Sequence, residues 1–301
     1  MTTIDFESPA VAPRQDAPTR PMYWSIRREL WENRSIYLAP LAVALVVLLG
    51  HSCSLVGLAH RRRAVLLLPI AQQRIAIAKS FDIDAIVLLA TAFIVGMFYC
   101  LDALYGERRD RSILFWKTVP INDRTTVLSK ATIPLVILPV ITFAMTIIVQ
   151  LLMLLMTNAL LAAAGVPITT NEQYPFALHI FFLAYGLVVL SLWHAPVYAW
   201  FLLVSASAKR ATLVWAFLPF FAASIFERIA FRTAFVSKFI QYRLGGGPAV
   251  AFDLPKDGHV DSVAQVTFAR FVTSPGLWLG LLFAAGFLAA AAYMRRNRDP
   301  I

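Results

Sequence analysis

Residues 131–164 read ATIPLVILPVITFAMTIIVQLLMLLMTNALLAAA, from Ala131 to Ala164, without one Asp, Glu, Lys or Arg. A hydrocarbon layer about 30 Å thick is crossed by roughly 20 apolar residues in an α-helix, so this run suits a bilayer and would be costly in water. The rest of the chain agrees. Of its 301 residues 59% are hydrophobic and only 15% charged, whereas soluble domains carry about 25% charged residues. In hydrocarbon every backbone N–H and C=O needs an internal partner, which a helix supplies. The fold class is therefore an all-α polytopic membrane protein.

Outward from that run, charge clusters and helix-breaking residues divide the chain into six spans, at about 35–58, 83–104, 131–160, 175–208, 211–228 and 275–294. The third and fourth stretches could reach about 50 Å, more than one crossing needs, so they should tilt, kink or project into water. Pro134 and Pro139 interrupt the third, Pro219 falls in the short fifth, and Ser274 with Pro275 forms an N-cap and first turn for the sixth. Residues 1–20 carry Asp5, Glu7 and Asp16 among Pro9, Pro13 and Pro18. They read as a disordered polar tail with no apolar signal segment, and 21–301 as a single transmembrane domain.

A net charge of +10 would suggest nucleic acid in a soluble protein. Here the basic residues sit between apolar spans, where headgroups and topology account for them, and no nucleic-acid partner is expected. Six spans place both termini on one face. That face collects 16 of the 27 Lys and Arg, leaving 11 opposite, so both termini are expected to be cytoplasmic. The exception is the basic segment 59–81, with Arg61, Arg62, Arg63, Arg74 and Lys79, which falls in the outer loop between the first two spans. Cys53 and Cys100 have neither disulfide nor metal spacing and read as small apolar fillers.

Two segments look parallel to the membrane. From Tyr23 to Arg34, Tyr23, Trp24, Ile26, Leu30 and Trp31 share an arc of about 160°, with Arg28, Glu29, Glu32 and Asn33 opposite and Arg27 as the misfit. This predicts an interfacial amphipathic helix anchored by its indoles, the alternative being an extension of the first span. The second is the long outer connection 227–274, where apolar stretches 229–240 and 259–272 flank a turn at Gly245-Gly246-Gly247-Pro248. Neither stretch spans alone, which leaves an outer-face or re-entrant helical pair beside an ordinary folded loop.

No G-x-x-x-x-G-K-[ST] phosphate loop, H-E-x-x-H zinc site or nucleophile-base pair at membrane depth occurs. A catalytic role and a resident metal are therefore not expected. Asp102 and Glu227 lie near span ends, and His194 is nearer the middle of one, as expected of a histidine bonded to a neighbouring helix. His51 and His179 read the same way.

The most informative loop is Leu104-Tyr105-Gly106-Glu107-Arg108-Arg109-Asp110-Arg111-Ser112-Ile113-Leu114-Phe115-Trp116-Lys117-Thr118-Val119-Pro120. Its charge cluster leads into four large apolar residues, Ile113 to Trp116, which occupy every side of a helix. A bilayer surface buries only some of them. The rest pack on the protein's own helix ends or enter a groove on a soluble subunit, with Arg108, Arg109 and Arg111 at the rim.

This loop, with Glu107-Arg108, the apolar run to Leu114, Pro120 and Lys130, resembles the connection between the second and third spans of ABC-2 type membrane permeases. The stretch 104–117 is similar to one bacterial subgroup of them, as are Ala195-Pro196-Val197-Tyr198-Ala199-Trp200 and Val204-Ser205-Ala206 in the fourth span. The chain departs from the pattern at Arg111, where many members have glycine for a tight turn, and in the basic outer loop 61–63.

The resemblance implies a permease subunit of a bacterial inner-membrane ATP-binding cassette exporter, with ATP and Mg held by a separate cytosolic ATPase. It implies contact with that ATPase through Glu107, Arg108, Arg109, Asp110, Arg111, Ile113, Leu114, Phe115, Trp116, Lys117 and Pro120, the proline ending the helix. A second permease protomer, as homodimer or heterodimer, and membrane lipid complete the expected partners. Trp193, His194, Tyr198 and Trp200 are candidates to line a substrate path, against the more common role of such aromatics in packing. An ion-coupled secondary transporter of small amphipathic molecules is the alternative, and an anchor for a membrane complex the third class.

Overall fold

A computed structural model describes residues 20–112, 122–253, 260 and 262–297. The polar tail therefore lies almost wholly outside the described residues. So does the segment Ile113 to Ile121.

Among the described residues, six helices are long and apolar enough to cross a membrane. The surface helix α1 (Pro21–Glu32) leads into α2 (Ser35–Ser54). A short basic helix, α3 (Leu58–Leu66), then precedes α4 (Ile70–Ala103) and the one-turn α5 (Tyr105–Arg109). The third span comprises α6 (Asp123–Thr132), a π-turn (Ile133–Ile137) and α7 (Leu138–Ala163). There follow α8 (Phe176–Ser207), α9 (Thr212–Ala230), α10 (Phe235–Ala251), the short α11 (Phe268–Val272) and α12 (Pro275–Asn297). Among the described residues no strand forms beyond one isolated bridge, Phe252 with Val266.

The lipid-facing surface carries what a soluble protein would hide: Leu45, Val46, Leu49, Ile86, Phe221 and Leu282 are all more than half exposed. Within a bilayer that surface faces solvent of its own polarity, so helix association rests on close packing. The tightest seam joins α8 and α12, where Ala195 and Ala199 meet Ala284. These small side chains, spaced four apart on α8, let the two backbones approach.

The second helix begins at Ile70, well before the expected 83, because the basic segment is clamped rather than free. The loop after α7 folds over it: Arg62 bonds Thr169 Oγ1, Arg74 Nε donates to the Glu172 carbonyl at 2.7 Å, and Gln173 Nε2 donates to Gln73 Oε1 at 2.9 Å. Burial at 6% exposure lowers the Arg62 pKa. In the third span Pro134 and Pro139 do not break the helix. The π-turn absorbs them, with Leu138 N–H reaching back to the Ile133 carbonyl.

The expected turn at Gly245 to Pro248 is corrected: those residues lie inside α10. Pro248 has no N–H for the Leu244 carbonyl one turn earlier. His194 Nε2 of α8 donates to that carbonyl instead, at 3.0 Å. The glycines serve close approach, since a Cβ on Gly247 would stand 2.9 Å from Trp193 Cγ. The stretch 259–272 is likewise not one helix; a 3-10 turn at Val263–Gln265 and α11 share it.

Candidate functional site

At the end of the bundle where α1, α5, α6 and α12 converge, charged side chains meet in a place almost closed to solvent. Glu29 of α1 is 1% exposed and Lys130 of α6 is 2% exposed. Lys130 Nζ lies 2.8 Å from Glu29 Oε1 and 3.2 Å from Glu107 Oε1. Arg28 Nη2 reaches the same two carboxylates, at 2.8 and 3.2 Å. Arg295 of α12 completes the ring, with Nη2 3.3 Å from Glu107 Oε2 and Nη1 on Asp123. Tyr99 of α4 donates its hydroxyl to Glu29 Oε2 at 2.8 Å.

Each buried charge here meets an opposite charge, which offsets the cost of taking ions out of water. Burial pushes the Glu29 carboxyl upward in pKa, but Lys130 and Arg28 outweigh it and hold the group below the usual carboxylate range. The Arg28 guanidinium shifts up, the attraction of Glu29, Glu32 and Glu107 exceeding its own desolvation.

Arg108 also turns inward, at 2% exposure. Its Nη1 bonds the Ala206 carbonyl and its Nη2 donates to the Ala208 carbonyl at 2.7 Å, satisfying acceptors left open at the C-terminus of α8. Beside it, Ser205 Oγ accepts from the N–H groups of Leu104 and Tyr105, at 3.0 and 2.9 Å, where α4 gives way to α5. Thus the two sequence stretches that carry the family resemblance, about 100 positions apart, are bonded to each other.

Among the described residues, the loop's other charges, Arg109, Asp110 and Arg111, are exposed. Arg109 is exposed, 3.0 Å from Asp110 Oδ1 and 3.8 Å from Asp102 Oδ1, with its guanidinium over the Tyr105 ring. Arg111 is exposed in the left-handed region, φ +56°. The tight turn is therefore kept by an arginine where glycine would adopt it freely. Glu107 and Arg108 fasten the loop to its own bundle, while Arg109, Asp110 and Arg111 stay on the surface, the first two paired with each other. Ile113, Leu114, Phe115, Trp116, Lys117 and Pro120 lie outside the described residues.

The four aromatic candidates do not line one open path. Trp193 is fully buried, donating Nε1–H to the Tyr242 carbonyl at 3.2 Å beneath the Arg243 guanidinium. His194 is engaged with Leu244, as described, and Trp200 Nε1 donates to the Ala216 carbonyl at 3.0 Å. Tyr198 and His194 border a cavity of about 50 Å³ near Phe93 and Pro134, far smaller than a drug-sized cargo needs. In this conformation they serve packing.

Glu29, Tyr99, Asp123 and Arg295 belong to the site without having been singled out from the sequence. Lys130 had been, through the resemblance. For Glu29 the available signal pointed the wrong way, since its helical face reads as water-facing. No family model, curated protein or solved structure matches this chain.

Proposed function

We propose that this chain is the membrane-spanning permease subunit of an ATP-binding cassette exporter in a bacterial cytoplasmic membrane, with both termini cytoplasmic. It would pair with a second permease protomer and work with a cytosolic ATPase that holds ATP and Mg. The observation that carries the reading is the bonding of Glu107 and Arg108 to Lys130 and to the end of α8. The loop that resembles an ATPase contact is thereby tied at its root to the inner ends of four helices. A push delivered to Glu107 and Arg108 reaches α6 and α12 through buried ion pairs and α8 through hydrogen bonds, with α4 continuous with the loop's first turn, as a lever biasing a bistable interface requires.

The reading is tested by co-purification from the native host in mild detergent. An ATP-hydrolysing subunit should accompany the chain, and Phe115→Asp should abolish that association while membrane insertion persists. Transport by the chain alone, or undiminished association of the variant, would overturn it.

A further inference from the structure

A groove of about 650 Å³ opens between α6 and α12, apart from the ionic site. Val127, Leu128 and Leu288 form its walls, and Ala285, Ala289 and Ala292 leave its floor shallow because their side chains end at Cβ. Its rim carries Arg124 and Arg296. Both are exposed and, among the described residues, neither makes an ion pair. Asp123 also borders the groove, but its carboxylate is met by Arg295, so among the described residues the rim is left with two uncompensated positive charges.

The rim stands at the end of the bundle where α1 lies across the helix ends. There Trp24 and Trp31 point outward with Arg27 between them, the guanidinium 5.4 and 4.7 Å from the two rings. Indoles with a basic partner mark the headgroup level. From Arg296, the floor of α12 descends to Ala285, about 16 Å deeper at the rise of an α-helix.

We propose that this groove binds one anionic phospholipid, its phosphate between Arg124 and Arg296 and an acyl chain along the alanine floor. A basic rim at headgroup level above an apolar trough complements an amphiphile with a negative head, as basic pockets between membrane helices do. A zwitterionic lipid satisfies the trough but not the rim.

The test is native mass spectrometry of the full chain in mild detergent, titrated with phosphatidylglycerol or phosphatidylcholine. The wild type should retain phosphatidylglycerol preferentially. The double variant Arg124→Gln, Arg296→Gln should lose about thirtyfold in affinity for it with phosphatidylcholine binding unchanged. Ala289→Phe, which fills the trough, should weaken both. Among the described residues the two arginines are exposed and make no ion pair, so an unaltered size-exclusion profile is expected. Undiminished phosphatidylglycerol binding in both variants would overturn the assignment. So would efficient cross-linking between two copies through Ala289→Cys in a bilayer, which would make the groove an interface between protomers.

Discussion

Arg111 holds a conformation that costs an L-residue about 1–2 kcal/mol, at φ +56° on an exposed turn. Its side chain makes no hydrogen bond or ion pair among the described residues that would be lost on removal. Arg111→Gly should therefore raise stability by about 0.5–1 kcal/mol, the relief of strain less the greater freedom of glycine in the unfolded chain. Arg111→Ala, which keeps the strain, should gain nothing. Thermal unfolding of the detergent-solubilised chain compares them, and equal midpoints for the two variants would refute the strain. This turn was legible in the sequence only through the resemblance, which set glycine against arginine at this position. Arg27, by contrast, is a misfit on the helical wheel and becomes intelligible once Trp24 and Trp31 are seen to flank it.

Among the elements, α10 is the least readable from sequence. Three glycines and a proline spell a turn by local rules, yet α8 supplies at Trp193 a close surface and at His194 a donor that together make a helix affordable there. His194→Leu should strand the Leu244 carbonyl and cost about 1–3 kcal/mol. Pro248→Ala restores an N–H for that carbonyl, so the double variant should recover most of the loss. The check is a double-mutant cycle on unfolding midpoints, with simple additivity as the contrary result. The surface helix α1 misleads in another manner. Its periodicity is correct, but amphipathic reasoning assigns the polar face to water. At the edge of a bilayer the apolar face can meet lipid and the polar face the protein, and here Trp24 is 58% exposed while Glu29 is 1% exposed.

For the whole molecule, six spans were legible because charge is expelled from hydrocarbon and length follows from bilayer thickness. Which helices touch was not, since lipid is as apolar as leucine and contacts are chosen by small residues and buried polar pairs. The ionic clasp makes that choice testable. Because the folded Glu29 pKa lies below its unfolded value, the pair stabilises fully above about pH 4.3. Its contribution drains away as pH falls through the lower folded pKa. Melts from pH 7 to 3 should show the wild type losing stability on acidification. Glu29→Gln should lose about 3 kcal/mol already at pH 7 and vary less with acid. An unchanged acid dependence in the variant would place the titrating group elsewhere.

Glu107 and Arg295 are separated by 188 positions. While the ribosome delivers the chain, Glu107 and Asp123 must wait without that guanidinium as the third, fourth and fifth spans enter the membrane. The closing of this ring is thus a late event of biogenesis. A nascent chain whose final span fails to insert would keep Glu107 paired with Lys130 and Arg28 but leave the Asp123 carboxylate without its guanidinium at the membrane surface, where quality-control proteases survey newly made chains.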